Sequence, residues 1–355
     1  MATPLPAALA AYLDANAAGL DAGTADADAL LPALCAAGLP RIGVPEDAGG
    51  DGTPVSHGID AIAAVAERSL AAAFVLWGHR VFAEYLVRSP NAAVRERLLA
   101  ATLDGRIAGA TGLSNAMKAL SGIEALAVHD RDGRLDGRVP WATNLRPPRF
   151  VVAVAVERRD GGSPYVTALP SERPGLVRSE DLDLIALRGT RTASLDLADV
   201  AADADDRLAD DARAWLPRIR PAFLGLQCGL PIGVARASLQ AARDAAGDAR
   251  RVLREPIESA SRRLADATRR LREGVDAGRF VDDPAPLFEL RIALVRLALE
   301  AVTLELQASG GRAYHRDAPL GFARRWAEAA FLPIVTPSVV QLQGELDRRR
   351  ASVAA

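Results

Sequence analysis

Apolar positions recur at helical spacing through the first third of the chain. One apolar stripe runs through residues 59–66 and another through residues 94–99, in each case at steps of three or four. Residues at this spacing share one face of an α-helix. The pattern therefore predicts an N-terminal helical domain over residues 1–105.

Between residues 106 and 205 the pattern changes to short runs rich in β-branched residues. The clearest runs cover 151–156 and 165–169, and turn pairs such as Asp132-Gly133 separate the runs. Asp-Gly pairs favour tight hairpin turns. We therefore predict a central domain built as a small antiparallel sheet or barrel. A polar connection over 198–213 is expected to lead out of it.

Helical spacing returns from about residue 214 to the C-terminus. Over 256–276 the apolar residues Ile257, Leu264 and Leu271 repeat every seven positions, which places them on one helix face. Over 289–307 the polar residues form only a narrow stripe, so this helix must be buried on several sides, as in a bundle or an oligomer interface. These patterns predict a C-terminal helical bundle over residues 206–355 and an α+β fold overall.

Composition restricts the classes of partner. The 355 residues include 43 Lys and Arg against 45 Asp and Glu, and this formal net charge of -2 gives no basic surplus for nucleic acid. Cys35 and Cys228 lie far apart without CxxC spacing, so we expect no metal site and a reducing cytoplasm. The N-terminal residues lack a basic region, and no run of 18 apolar residues is free of charge. We therefore expect neither a signal peptide nor a membrane span.

A Pro- and Gly-rich loop follows a short apolar run at residues 38–52. Its sequence, GLPRIGVPEDAGGDG, by itself predicts a turn between helices. It also resembles the segment GL-x-G-x-x-V-P-E-x-x-G-G-x-G of the acyl-CoA dehydrogenase family. This resemblance implies the fold of that family, with an N-terminal helical domain, a central β domain and a C-terminal four-helix bundle.

The segment 137–144 extends the resemblance to a flavin site. It reads GRVPWATN, which is similar to the strand NG-x-K-x-W-I-T-N of the family. The resemblance implies that Trp141 lies against the isoalloxazine ring of FAD and that the Thr143 hydroxyl lies near flavin N5. An aromatic wall excludes water, and a hydroxyl donor supports the charge that arrives at N5.

The segment 109–115, GATGLSN, stands where the family carries A-L-T-E-P-x-A-G-S-D. The resemblance implies a place for Ser114 beside the flavin pyrimidine ring, with Thr111 as the alternative alignment and Leu113 in the same cofactor-binding segment. The Glu-Pro and Gly-Ser-Asp of the family are absent. Their absence argues against acyl-thioester and CoA contacts of the usual kind.

Three later segments continue the resemblance in the same order as in the family. Residues 187–200 resemble G-x-R-x-S-x-T-x-x-L-x-F-x-D-V, which closes the β domain of the family. Residues 250–257 resemble R-x-x-F-G-x-P-I, which implies that Arg250 approaches the FAD diphosphate of a neighbouring subunit. Residues 307–314 resemble Q-x-x-G-G-x-G-Y.

The last of these segments implies an oligomer. Gln307, Gly310 and Gly311 stand where the family lets backbone approach the adenine end of FAD across a subunit interface. Members of the family commonly form dimers or tetramers with FAD between chains. We therefore expect a homodimer or homotetramer.

The usual catalytic base of the family is missing. In much of the family a glutamate in I-Y-E-G-T removes the α proton of a thioester, and here residues 334–338 read IVTPS, so that Thr336 stands at the base position. A hydroxyl without an activating partner cannot take an α proton near neutral pH. The alternative glutamate site of other branches falls near residues 223–224, again without a carboxylate. Glu328, His315 and His79 are the candidate replacements.

Three functions of different class follow. The first is a FAD-dependent oxidoreductase acting on a CoA- or carrier-linked acyl group or a related small molecule. The second is a flavin monooxygenase or oxidase on the same scaffold, which needs no α-proton base. The third is a catalytically silent partner subunit or binding protein.

Overall fold

The computed structural model describes residues 4–315 and 321–354, and the side chains at 248–250 and 352–354 lie outside that description. Within these residues the chain forms eleven α-helices. They are α1 Ala7–Ala22, α2 Leu30–Ala36, α3 Val55–Ala66, α4 Leu70–Val87, α5 Ala92–Leu103, α6 Ser114–Leu120, α7 Ala212–Ala245, α8 Arg254–Asp276, α9 Ala285–Ser309, α10 Phe322–Phe331 and α11 Val339–Ala354.

Eight strands form one sheet between α5 and α7. They are β1 Ala108–Thr111, β2 Val128–Arg131, β3 Arg134–Ala142, β4 Phe150–Arg158, β5 Tyr165–Pro170, β6 Leu176–Arg178, β7 Ala193–Ala201 and β8 Arg207–Ala209. Their order is β6-β7-β3-β2-β4-β5-β8, and β1 also pairs with β4.

The α+β fold class is confirmed, with one refinement of the sheet. Most neighbouring strands are antiparallel, as predicted, but β1 and β2 both run parallel to β4. Each of them uses a different half of β4, at 150–153 and 157–158 respectively. The region 198–213 is not only a polar connection, because the end of β7 and all of β8 lie within it.

Two helices hold the helical parts together. Helix α4 is buried along almost its whole length, and α7 packs against both α3 and α9. By length and composition alone α4 and α7 could cross a bilayer, although the sequence criterion did not detect them. Their apolar windows are 94% and 89% buried inside the fold, which is the behaviour of core helices and makes them weak evidence for a membrane span.

The glycine-rich loop at 43–52 has a structural reason for its composition. Gly49 has φ 84°, a left-handed conformation that favours glycine. A Cβ added to Gly50 would lie only 2.1 Å from the carbonyl oxygen of Val44. Buried Arg80 donates to the carbonyls of Ile42 and Gly43, at 3.1 and 2.6 Å, and so fastens the loop to α4.

Candidate functional site

A cavity of about 320 Å³ opens where the end of β3 meets α4, α7 and the segment after α10. Five residues singled out from the sequence line it together: Thr111, Ser114, Trp141, Thr143 and Thr336. The other described residues on its wall are Phe74, Trp77, Lys118, Pro140, Ala142, Phe223, Phe331, Ile334 and Val335.

Five aromatic side chains lie on the wall, at Phe74, Trp77, Trp141, Phe223 and Phe331. Phe74 stacks on Trp77 with centroids 5.3 Å apart, and Phe331 meets Phe74 edge-on at 5.0 Å. Trp141 lies nearly parallel to Phe331, with centroids 6.4 Å apart and 20° between the planes. Such a wall excludes water and suits a flat, largely apolar ring.

The Thr143 hydroxyl is hydrogen-bonded to a chain of threonine hydroxyls that do not line the cavity. Thr143 Oγ1 lies 2.9 Å from Thr192 Oγ1, which lies 2.7 Å from Thr190 Oγ1. Thr190 donates to the carbonyl of Leu187 at 2.8 Å. Because each hydroxyl has one proton, Thr192 then donates to Thr190, and Thr143 donates to Thr192. This arrangement leaves the Thr143 oxygen as an acceptor toward the cavity, whereas the resemblance implied a donor.

Two hydrogen bonds hold Thr111 in its position on the cavity wall. Its Oγ1 lies 2.9 Å from the Tyr85 hydroxyl and accepts from the Leu113 backbone N–H at 3.4 Å. Burial raises the pKa of Tyr85, so the phenol keeps its proton. Leu113 is buried and is not on the cavity wall, so its contribution is this backbone contact.

His79 lies in the core and not on the cavity wall. Its Nε2–H donates to the carbonyl of Thr102 at 2.8 Å, and its Nδ1 accepts from the Gly109 N–H at 3.0 Å. Both ring nitrogens are therefore occupied. Burial lowers the pKa of His79 to about 4, because a buried imidazolium loses its hydration. The structure thus gives His79 a packing role beside β1.

This burial predicts an acid-dependent loss of stability. Between pH 6.5 and 4 the unfolded chain binds a proton at His79 that the folded chain does not, so stability falls as the pH is lowered through this window. The loss from this group is about 3 kcal/mol across the window. Urea unfolding at several pH values should show a shallower pH dependence for His79→Gln than for the unchanged chain.

The same substitution at His315, which is exposed, is the matched control. If His79→Gln and the unchanged chain lose stability in parallel between pH 6.5 and 4, His79 is not buried in its neutral form.

Glu328 is also held away from the cavity. Arg324 Nη1 donates to both carboxylate oxygens at 2.8 Å, and the Leu70 N–H donates to Oε1 at 3.0 Å. Burial raises the pKa of Glu328, and the paired Arg324 opposes that rise. The carboxylate therefore accepts a hydrogen bond from the first residue of α4. The third candidate base, His315, is exposed after the end of α9.

Thr336 lines the cavity on a loop that two buried polar side chains position. Gln227 donates to the Thr336 carbonyl at 3.0 Å, and Arg291 donates to Gln227 at 2.9 Å and to the Leu332 carbonyl at 3.2 Å. Arg291 is fully buried, and its Nη1 has no partner within the described part of the chain. These contacts hold residues 332–336 at the cavity, where Thr336 lines the same wall as the aromatic side chains.

The remaining predicted cofactor residues lie elsewhere. Gln307 and Gly311 are exposed at the end of α9, Gly310 is half-buried there, and none of the three lines this cavity. The side chain of Arg250 lies outside the described residues. Among the residues that the structure describes, no group of three or more His, Cys, Asp or Glu side chains could hold a metal.

The comparisons with known proteins agree with this architecture. No family model matches the chain. A search of curated proteins found "Probable acyl-CoA dehydrogenase YngJ" of Bacillus subtilis (strain 168), 26% identical over 250 residues, with 65% of each chain covered. The match therefore spans slightly less than two thirds of that relative. The chain is therefore similar in sequence, over 65% of its length, to a probable acyl-CoA dehydrogenase.

Solved structures extend the likeness over nearly the whole chain. Butyryl-CoA dehydrogenase from Megasphaera elsdenii is 20% identical with a TM-score of 0.78, covering 97% of this chain and 98% of that one. PigA, solved with FAD and proline, is 15% identical with a TM-score of 0.80 and 99% coverage of both chains. At these identities the likeness establishes the acyl-CoA dehydrogenase fold.

Sequence reasoning missed part of the site. Phe74 and Phe331 were not singled out, although Phe74 and Trp77 stand three apart on a helix and so share a face. Thr190 and Thr192 belong to the segment 187–200, whose resemblance to the end of the family's β domain gives no indication of a chain of hydrogen-bonded hydroxyls. The position of Lys118 on the cavity wall was also not foreseen.

Proposed function

We propose that this chain is a FAD-dependent oxidoreductase that holds the isoalloxazine ring in the cavity lined by Trp141 and Thr143. The observation that carries the proposal is the convergence of Thr111, Ser114, Trp141 and Thr143 on one cavity wall. These residues come from two separate segments of the sequence and meet only in the folded chain. The bound FAD of PigA, on the same fold, supports the choice of cofactor.

The cavity suits the ring end of the cofactor. Its volume of about 320 Å³ lies at the lower end of the range for ligand pockets, so it can house the ring but not a whole dinucleotide. When bound, the ring supplies the two-electron redox chemistry. Trp141 and Phe331 would exclude water from it, and the hydroxyls of Thr111, Ser114 and Thr143 would orient it.

The diphosphate and adenine would lie outside the cavity. We propose that they reach a second copy of the chain, the diphosphate near its Arg250 and the adenine at its segment around Gln307, Gly310 and Gly311, in a homodimer or homotetramer. The elution volume and the sedimentation velocity of the purified protein test this assembly.

The reaction proposed here uses no carboxylate base. Within the described lining there is neither a carboxylate nor an imidazole, and Glu328 and His79 are held by other partners. A monooxygenase or oxidase, in which reduced flavin meets O2, needs no α-proton base. We therefore favour this class over α,β-dehydrogenation for the substrate reaction.

Flavin content and anaerobic mixing test the proposal. The purified protein should carry FAD or take it up when offered an excess. Under anaerobic conditions a panel of acyl-CoA thioesters should leave the flavin oxidised, whereas an NADH-driven reductase should reduce it and admitted O2 should reoxidise it. A protein that never takes up flavin would instead be the catalytically silent relative.

A second candidate is dehydrogenation of an acyl thioester, which the likeness to YngJ favours. Thr336→Glu separates the two candidates, because it places a carboxylate at the base position on the cavity wall. We expect this variant to leave the flavin oxidised with butyryl-CoA and octanoyl-CoA, because the Glu-Pro and Gly-Ser-Asp that accompany thioester and CoA contacts in the family are absent from this sequence.

Thr336→Gln is the matched control, because it has the same size without the charge. Thioester-dependent bleaching in Thr336→Glu but not in Thr336→Gln would show that only the base is missing from a dehydrogenase.

A further inference from the structure

Lys118 adds a positively charged residue to a cavity wall that is otherwise uncharged among the described residues. It is the one lysine of the 355-residue sequence, it lies on α6, and it is one of the residues that line the cavity. Among the described residues on that wall it is the single charged side chain. The other polar groups there are hydroxyls, so Lys118 supplies the single cation of this described wall, and in the structure that cation is paired with Glu124.

The ion pair of Lys118 with Glu124 can be replaced by an ion pair with an incoming anion. Its Nζ lies 2.8 Å from Glu124 Oε1, and the two side chains are 37% and 45% exposed. Glu124 also accepts from Asn115 at 3.3 Å. A pair exposed to this extent contributes little to stability, so an incoming anion can displace Glu124 into water at small cost.

Helix α6 holds Lys118 in place. Gln341 of α11 donates to the Met117 carbonyl at 2.9 Å and to Ser121 Oγ at 3.1 Å, and Glu345 also contacts Ser121. These contacts fix the helix on both sides of Lys118. A cation presented from a fixed element loses less conformational freedom when it binds an anion.

We propose that Lys118 binds an anionic group, a carboxylate or a phosphate, of a substrate whose apolar part enters the aromatic cavity. This inference rests on the proposed flavin site, because the substrate must share the cavity with the ring. The anion would pair with the Lys118 ammonium while the apolar part of the substrate is buried against the aromatic side chains. Neutral molecules of the same shape would lack this contact.

Protection of Lys118 from an amine reagent tests the inference directly. Since the chain has one lysine, reductive methylation can modify only Lys118 and the N-terminal amine, which serves as the internal control. Octanoate or octyl phosphate should slow modification of Lys118 about fivefold or more, as read by mass spectrometry, while octanol should not. The two anions separate carboxylate from phosphate recognition. Equal protection by octanol, or none by either anion, would overturn the proposal.

Variants then separate this inference from the flavin assignment. Lys118→Met should weaken octanoate binding about tenfold, as measured by perturbation of the bound-flavin spectrum, and Lys118→Arg should restore most of it. Glu124→Gln should tighten octanoate binding about threefold, because it removes the competing carboxylate. FAD affinity should stay the same in all three. A loss of FAD affinity in Lys118→Met would assign the lysine to the cofactor and overturn the proposal.

Failure of the flavin site would give a different result. If the unchanged chain takes up no FAD, the spectral titration is silent, and the proposed function fails. The protection experiment needs no flavin, so it still decides whether an anion binds at Lys118.

Discussion

Replacing Trp141 with alanine is expected to weaken FAD binding about 100-fold, because a buried aromatic contact at the centre of a binding site contributes several kcal/mol. The indole of Trp141 lines the cavity, half-buried beside Phe331, and no other tryptophan is on the same strand. Titration of the flavin-free protein with FAD, followed by quenching of flavin fluorescence, measures the change. Trp141→Phe should keep most of the affinity, since it keeps an aromatic face.

Trp326→Ala is the matched control for this substitution. Trp326 is 49% exposed on α10, where its ring contacts Phe322 at 5.7 Å, and it does not line the cavity. Its removal should change FAD affinity less than about twofold. Equal losses in the two variants would mean that Trp141 does not touch the cofactor.

Substituting alanine for Gly50 is expected to lower the free energy of unfolding by about 3 kcal/mol or more. The added methyl would lie 2.1 Å from the Val44 carbonyl oxygen and 2.4 Å from the Val44 Cβ, so the loop must move. That movement would strain the hydrogen bonds that Arg80 makes to Ile42 and Gly43. Equilibrium unfolding in urea measures the loss.

Gly247→Ala provides the comparison. Gly247 has φ -71° and no atom within 4 Å of an added Cβ, so alanine should change the free energy of unfolding by less than about 0.5 kcal/mol. If Gly50→Ala is as stable as Gly247→Ala, close packing does not explain the double glycine at residues 49 and 50.

The helices were predictable where their burial is one-sided. Ile257, Leu264 and Leu271 are buried on α8 while the arginines between them are exposed, as the seven-residue spacing predicts. Helix α4 is buried on all sides, and its apolar residues occupy every face, so they have no period from which a buried face can be assigned. Tertiary contacts determine its position.

The sheet was predictable in type but not in pairing. The runs at 151–156 and 165–169 fall within β4 and β5. The parallel pairing of β1 and β2 with β4 depends on contacts between distant parts of the chain, which local patterns do not record. Strand β8 has three residues in an Asp-rich region, too few for an alternating pattern.

The candidate site was also predictable from local sequence motifs only in part. Trp141 and Thr143 were identified through a motif in one strand, and the structure places both on the cavity wall. Phe331 and Lys118 come from segments far apart in sequence and face the same cavity. Their joint position depends on how α6 and α10 pack, and neither residue belongs to a motif that marks it.

A crystal structure of the protein grown with excess FAD tests the central claim most directly. The proposed flavin site predicts density for the isoalloxazine ring in the cavity of about 320 Å³, against the indole of Trp141 and next to the hydroxyl of Thr143. Density for the ring at another place, or a folded protein whose cavity stays without flavin at saturating FAD, would contradict it.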